Sequence, residues 1–179
     1  METYVAWLRG INVGGANKLP MKELQQLLTE LGLLEVKTYI QSGNAAFRAA
    51  EADRAVLEQR ITEAIRLQYE FTPQVMVLTA GQLEEAARRN PFPEAEADHK
   101  TLHLSFLAAT PTEPELDKLE AVRGENERFQ LIDRVFYLHA PGGIGRSKLA
   151  ERVERCLGVP ATSRNWRTVC QMREIVAKM

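Results

Sequence analysis

The 179-residue sequence has few of the residues that would identify a metal centre, a disulfide scaffold or an RNA-binding sheet. Its two cysteines, Cys156 and Cys170, are too far apart for a zinc-binding pair, so we expect two buried thiols in a reducing compartment. Aromatic residues make up only 7% of the chain, which disfavours base stacking across a sheet. The sequence shows neither a signal peptide nor an apolar run of membrane-spanning length. We therefore expect a cytoplasmic protein without a membrane partner.

Charge is balanced over the chain but not along it. The net charge is −1, so the surface as a whole does not attract nucleic acid. Residues 141–179 carry eight Lys or Arg against three Asp or Glu, whereas residues 80–127 carry five against eleven. The basic C-terminal part is compatible with an anionic partner, and also with a solvated helix face.

The order of predicted elements indicates an α+β fold. The first half alternates as strand, helix, two strands joined by a turn at Ser42-Gly43, helix and strand, and the second half repeats this order with a hairpin at Asp133-Arg134. This predicts a tandem repeat of two ferredoxin-like (βαββαβ) units with antiparallel sheets, a linking helix and a C-terminal helix. The predicted boundaries are 1–79 for the first unit, 80–100 for the connecting helix and linker, and 101–179 for the second unit.

Capping patterns and composition refine these elements. Thr79 with Gln82, and Thr112 with Glu115, are spaced as capping boxes that begin a helix. The stretch 90–100 is rich in proline and acidic residues and is predicted to be a loop. The last strand is predicted over 159–162, and the final helix begins near Trp166.

Four polar segments follow predicted strands, and none contains a carboxylate. Their sequences are RGINVGG at 9–15, QSGN at 41–44, GGIGRSK at 142–148 and TSRNW at 162–166. Backbone N–H groups, amides, hydroxyls, Lys and Arg together are suited to an anion. The predicted topology brings 10–18 beside 41–44, and 141–148 beside 163–166, at shared sheet ends.

These segments supply the candidate ligand-binding residues. They are Arg9, Asn12, Gly14, Gly15, Lys18, Gln41, Ser42, Asn44, Gly143, Gly145, Arg146, Ser147, Lys148, Arg164, Asn165 and Trp166. Each segment also has a purely structural explanation. The glycines suit turns, Ser147 suits a helix cap, and Trp166 suits the core.

The same segments resemble a known family. The stretches LRGINVGG, YIQSGN, PGGIGRSKL and ATSRNW, in this order over essentially the full chain, are similar to the bacterial Domain of Unknown Function family 1697. The sequence departs from it at Ala45-Ala46, where that family tends to have bulkier residues. The resemblance implies a two-unit α+β fold and no particular activity.

The best functional prediction is a non-catalytic binder of an anionic ligand, either a nucleotide, phosphate or nucleic acid. An enzyme acting on a small phosphorylated or carboxylated substrate stays open, although no general base is evident. A protein–protein interaction module, such as a homodimer, also stays open. No cofactor is expected. No metal is expected either, because His99 and His103 are four apart but His103 lies in a predicted strand.

Overall fold

The computed structural model describes all 179 residues, as an α+β protein with two four-stranded antiparallel sheets and six helices. The chain forms two compact units. One comprises Met1–Glu85 with Gln171–Met179, and the other comprises Ala86–Cys170. No helix combines the length and the apolar character that crossing a membrane requires.

The first unit contains one sheet and two helices that pack against it. Its elements are β1 (Glu2–Arg9), α1 (Met21–Glu30), β2 (Leu34–Tyr39), β3 (Asn44–Ala49), α2 (Arg54–Tyr69) and β4 (Gln74–Thr79). The strand order is β2-β3-β1-β4, and every neighbouring pair is antiparallel. Since β1 and β2 are both antiparallel to β3, they run in the same direction. Asn44 of β3 pairs with Trp7 of β1 on one side and with Tyr39 of β2 on the other.

The core of this unit lies between the sheet and its two helices. Alternate residues of β1, among them Tyr4, Ala6 and Leu8, face the helices and are at most 1% exposed. Leu24 and Leu28 at helical spacing on α1, with residues of α2, complete this core. The intervening residues of β1 are also buried, which explains why its sequence is apolar without a break.

The second unit repeats the order of elements. Following α3 (Ala80–Arg88), these are β5 (Leu102–Leu107), α4 (Leu116–Glu120), β6 (Arg128–Ile132), β7 (Val135–His139), α5 (Lys148–Leu157) and β8 (Ala161–Asn165). The last helix, α6 (Trp166–Val176), begins in this unit, and its residues from Gln171 onward belong to the first unit. The strand order is β6-β7-β5-β8, again antiparallel throughout. In both units the order is compatible with a ferredoxin-like arrangement.

Several local predictions are confirmed. The hairpin between β6 and β7 turns at Asp133-Arg134, with Ile132 paired to Val135 and Asp133 in the left-handed region. At the start of α3, the Thr79 hydroxyl accepts the Gln82 N–H at 3.1 Å, and the Gln82 side chain accepts the Thr79 N–H at 3.0 Å. This is the predicted capping box.

Two other predictions are wrong. Thr112 does not begin a helix. Pro114 disfavours a helical conformation at Glu113, the Glu115 N–H donates to Cys156 O, and α4 starts only at Leu116. The last strand lies at Ala161–Asn165, so most of the fourth polar segment is strand. A short 3-10 turn, Pro93–Ala97, occupies part of the predicted loop. Of the thiols, Cys156 is buried and Cys170 is half-buried.

Candidate functional site

The polar segments form one cluster in each unit. We call residues 9–18 with 41–44 the first cluster, and residues 141–148 with 163–166 the second cluster. The first lies where β1 and β2 end. The second lies where β7 and β8 end, since Leu102 pairs with His139 and the next residue, His103, pairs with Asn165. The predicted proximity within each pair of segments is thus confirmed.

Asn12 holds the first cluster together. Its side-chain nitrogen donates to the carbonyl oxygens of Leu19 and Gln41, both at 2.8 Å, and its oxygen accepts the Leu19 N–H at 2.8 Å. Asn17 donates in turn to Gly10 O at 2.7 Å. Both asparagines have a positive φ, which asparagine tolerates better than most residues. The Asn12 amide is therefore engaged within the protein and positions the loop.

The tip of this loop is a small hairpin. Val13 and Ala16 form an isolated bridge around Gly14 and Gly15, which have φ values of 58° and 82°. Two successive positive φ values correspond to a type I′ turn, which explains the glycine pair. Both glycines and Lys18 are exposed. Arg9 is exposed too and lies 3.4 Å from the Gln74 side-chain oxygen.

The β2–β3 turn packs tightly against this loop. The Leu8 N–H donates to Gly43 O at 2.8 Å. A Cβ atom on Gly43 would stand 2.7 Å from Leu8 Cβ and 2.8 Å from Ile11 Cδ1. The fully buried Asn44 side chain donates to Tyr39 O and to the Ser42 hydroxyl. Gln41 and Ser42 are exposed, whereas Gly43 and Asn44 have structural roles.

In the second cluster, a glycine loop leads into α5. Gly143 has a φ of 86°, and its N–H donates to Ala140 O at 2.8 Å. A 3-10 turn, Ile144–Arg146, then leads to Ser147, whose hydroxyl accepts the Ala150 N–H at 3.0 Å. Ser147 is the N-cap of α5 and is 3% exposed. Gly145, Arg146 and Lys148 are exposed around it.

Three further candidates follow in β8 and α6. Arg164 faces the side of the sheet opposite α5 and is half-buried, and burial lowers the pKa of its guanidinium to about 10. It therefore stays charged at neutral pH. The Asn165 side chain accepts the Thr168 N–H at 2.9 Å and caps α6. Trp166 is only 6% exposed, so its ring has a place in the core and offers no open face to a base.

Sequence reasoning missed a group of side chains at the same end of this sheet. Arg128 opens β6 directly opposite His139, the last residue of β7. Its guanidinium lies 4.8 Å from the centre of the Phe92 ring, donates to His139 Nδ1 at 3.0 Å and forms an ion pair with Glu94. Burial first, and the Arg128 charge second, lower the pKa of His139 and favour its neutral form. Arg128 and His139 are distant in sequence from Phe92 and Glu94, which lie in a predicted loop.

His103 is a second residue that sequence reasoning left out of the candidate site. It is 9% exposed, lies on the helix-covered face of β5, and its Nδ1 atom has no hydrogen-bond partner. Burial lowers the pKa of its imidazole to about 4, so it is neutral at pH 7. No group of three or more His, Cys, Asp or Glu side chains is placed to hold a metal ion.

Comparison with known proteins identifies the family of this chain, and the description of that family assigns it no function. The chain is similar in structure to the conserved bacterial protein SP0830 from Streptococcus pneumoniae, with 25% sequence identity, a TM-score of 0.67, and 98% of each chain covered. No curated protein matches the sequence. The profile of the family described as protein of unknown function (DUF1697) matches residues 1–137. The chain therefore belongs to the DUF1697 family.

Proposed function

We propose that the protein binds the phosphate group of an anionic ligand, a nucleotide or a nucleic acid, and does so without catalysing a reaction. The observation that carries this proposal is the loop before α5. There the exposed Arg146 and Lys148 flank the capped start of a ten-residue helix. Between Pro141 and Ala150 the chain has no acidic residue.

The loop is suited to a phosphate for three physical reasons. The first turn of a helix presents N–H groups that lack partners within the helix, and the helix dipole adds a partial positive charge there. The Ser147 hydroxyl accepts the Ala150 N–H, which leaves the N–H groups of Lys148 and Leu149 in the first turn for an incoming ligand. Gly142 and Gly145 are exposed and have open space at their Cβ positions, so a phosphate can approach their backbone closely.

We propose a supporting role for the first cluster. Arg9 and Lys18 are exposed, and Gly14 and Gly15 form the turn between them. Asn12 and Asn44 hold this loop and turn in place, so a ligand would meet a preformed surface. A preformed surface reduces the ordering cost of binding.

A second function for the first cluster has an observation in its favour. Val13 is 66% exposed at the hairpin tip, and Ile40 is 49% exposed beside Gln41 with a φ of 46°. Such a φ is unusual for a β-branched residue and indicates local strain. Two exposed apolar side chains on rigid supports are suited to contact with another protein, so an interaction module is the alternative here.

We also infer that each unit is a ferredoxin-like fold. The strand orders β2-β3-β1-β4 and β6-β7-β5-β8 support this, because each, with the βαββαβ order of elements, corresponds to that arrangement. In it the second helix of a unit starts at the end of the third strand. The glycine loop and the end of β8 then share one end of the second sheet.

Calorimetry at two salt concentrations tests this proposal by measuring the binding of inorganic phosphate and of nucleoside monophosphates. Gly145 offers a matched pair of variants, because its Cβ position is open and its φ is not positive. Gly145→Asp places a carboxylate beside the bound anion, and Gly145→Asn places an amide of the same shape. We expect the aspartate variant to bind about tenfold more weakly than the asparagine variant, and more so at low salt.

Arg146→Ala and Lys148→Ala are each expected to weaken binding and to reduce its salt dependence. Equal affinity of the Gly145→Asp and Gly145→Asn variants would exclude this loop as the phosphate site. A protein that binds none of these anions but associates with itself, and loses this association on Val13→Ser, would favour the interaction module instead. Turnover of a bound phosphoester would contradict the non-catalytic part of the proposal.

A further inference from the structure

The strand β6 forms an open edge of the second sheet. It pairs with β7 alone, in an even register from Arg128 to Ile132 without a bulge. The outer side of an edge strand carries backbone N–H and C=O groups that can pair with another strand, so proteins usually protect such edges. The edge strands of this protein are β2, β4, β6 and β8, and they differ in this protection.

Three of the four edge strands carry a protecting feature. In β2 the register shifts after Leu34, and such an irregularity bends an edge away from a regular partner. In β4 the Glu58 carboxylate accepts the outward Val77 N–H at 2.8 Å. In β8 the Glu154 carboxylate accepts the Ala161 N–H at 3.0 Å in the same way. Each of these edges is therefore irregular or partly occupied by the chain itself.

The β6 edge has no such feature. In its two-residue hairpin, Ile132 and Val135 exchange both hydrogen bonds, and bonded and non-bonded pairs alternate from there along the strand. Phe129 and Leu131 therefore direct their N–H and C=O groups away from β7. No other part of the chain pairs with these four groups, and β6 contains no lysine, proline or acidic residue. The edge is open to a second strand.

Apolar side chains follow the same edge. Phe129 and Leu131 pack against the core of the second unit with part of their surface and are half-buried. The Phe129 ring stacks on Phe136 of β7 with the ring centroids 5.4 Å apart. Gln130 lies between them on the other face of the sheet and is exposed. An added strand would cover the outer sides of the two apolar residues and extend the core beyond β6.

The positions available for pairing make this edge self-complementary. The backbone of Glu127 already engages Gly124 and Arg123, so new pairing begins after it. Asp133 has a positive φ and belongs to the turn, so pairing ends before it. For two copies of β6 in antiparallel orientation, the register that uses all four outward groups of each strand places the middle residue, Gln130, opposite its own copy.

We infer that the open edge of β6 binds the same edge of a second copy of this chain, about a twofold axis at Gln130. Phe129 of one copy exchanges two hydrogen bonds with Leu131 of the other, and the symmetry repeats this pair. The two Gln130 amides meet on the axis, where each can donate to the other and accept from it. The two four-stranded sheets become one continuous sheet. This inference is independent of the proposed phosphate binding.

Charge at the twofold axis tests the self-pairing. Sedimentation velocity of the full chain from about 1 μM to about 1 mM measures the dimer. Gln130→Lys places like charges opposite each other, so its dimer should dissociate at about fivefold higher concentration than that of Gln130→Met, a neutral side chain of similar length. Gln130→Glu should weaken the dimer to a similar extent. An equimolar mixture of the lysine and glutamate variants should form a mixed dimer that is tighter than the dimer of either variant alone.

A disulfide tests the register. Residues of a non-hydrogen-bonded antiparallel pair have Cα atoms about 4.5 Å apart, which permits a disulfide bond. Gln130→Cys should therefore give a covalent dimer under mild oxidation. Ile132→Cys should not, because the two copies of position 132 lie about 14 Å apart in this register. The native chain, with Cys156 and Cys170, gives the background of this measurement.

Two controls separate this edge from the other proposed surfaces. Val13→Ser, at the exposed hairpin tip of the first unit, should leave the dimer unchanged. Gln130→Lys should leave the affinity for inorganic phosphate unchanged. Unfolding curves of each variant show whether a loss of association reflects a loss of fold.

The outcomes distinguish this inference from the proposed function. A chain that stays monomeric over the whole concentration range overturns the inference and leaves phosphate binding untouched. A dimer that is equally stable in the Gln130→Lys and Gln130→Met variants, or lysine and glutamate variants that do not combine, also overturns it. A chain that dimerises as described but binds no phosphate supports the inference and overturns the proposed function alone.

Discussion

The side chain of Asn12 donates a hydrogen bond to the carbonyl oxygen of Gln41 at 2.8 Å, across 29 positions of sequence. This bond joins the loop after β1 to the turn after β2. It also shows how two segments that are polar and glycine-rich can be rigid, because a single amide satisfies backbone groups in both. The polar character of this cluster thus serves its internal structure as well as its surface.

Replacement of Asn12 should measure how strongly the first cluster is held. Asn12→Ala removes three hydrogen bonds to backbone groups and places alanine at a φ of 54°. With about 1 kcal/mol for each partly exposed bond and some compensation by water, we expect the free energy of unfolding to fall by about 2–3 kcal/mol in urea denaturation. Asn12→Gly should cost about 1 kcal/mol less, because glycine tolerates the positive φ. Equal losses in the two variants would show that backbone strain contributes nothing here.

Gly43 and Gly15 form a matched pair for steric packing. Their φ values are 81° and 82°, yet a Cβ on Gly43 meets Leu8 and Ile11 within 3 Å, whereas Gly15 has no heavy atom within 4 Å. Gly15→Ala should therefore lower the free energy of unfolding by about 1 kcal/mol, because the only cost is that of placing alanine at a positive φ. Gly43→Ala should cost about 1–3 kcal/mol more, because buried side chains must shift. Thermal and urea unfolding measure both, and similar losses would contradict the packing argument.

The fold could be predicted from sequence mainly because its local signals agree. The capping box at Thr79 and Gln82 and the two-residue hairpin at Asp133-Arg134 depend on residues close in sequence, and both are confirmed. The box at Thr112 failed for a long-range reason. The Glu115 N–H donates to Cys156 O, a contact that no local pattern reveals, and Pro114 disfavours a helical conformation at Glu113.

The candidate site could be predicted only in part. The segments that meet follow from the topology, but the role of each side chain depends on its partners. Asn12 and Asn165 both engage backbone groups, and Trp166 is buried, although all three were expected among ligand-binding residues. Arg128 and Phe92 are 36 positions apart and belong to no sequence motif, so no pattern in the sequence indicates that they are in contact.

His103 should make stability depend on pH. Burial lowers the pKa of its imidazole to about 4, from an ordinary value near 6.5 in the unfolded chain. The unfolded state therefore binds the proton more readily, so the contribution is fully present above about pH 6.5 and is lost as the pH falls toward 4. We expect a loss of at most about 3 kcal/mol over this range, measured by urea unfolding at pH 7.5, 5.5 and 4.5.

His103→Gln provides the comparison, because glutamine is polar and does not titrate. The loss of stability between pH 6.5 and 4 should be smaller in this variant by the share that His103 contributes. Since Nδ1 has no partner, His103→Leu should unfold at a similar or higher urea concentration than the native protein at pH 7.5. A pH dependence identical in the native protein and the glutamine variant would show that His103 is not the titrating group.

Ser147 separates helix capping from anion binding in the loop before α5. Its hydroxyl accepts the Ala150 N–H at 3.0 Å, so Ser147→Ala should lower the free energy of unfolding by about 1 kcal/mol, while Ser147→Thr keeps the hydroxyl and most of that stability. The alanine variant gains one unpartnered N–H group in the first turn, and it keeps the Lys148 and Arg146 side chains. Its affinity for phosphate, compared at a temperature where both variants are fully folded, should therefore stay within about threefold of the native value, since less than about 0.7 kcal/mol of binding is at stake. A larger loss in Ser147→Ala, restored in Ser147→Thr, would make the hydroxyl a direct ligand of the anion and would place the phosphate deeper in the loop than Arg146 and Lys148 imply.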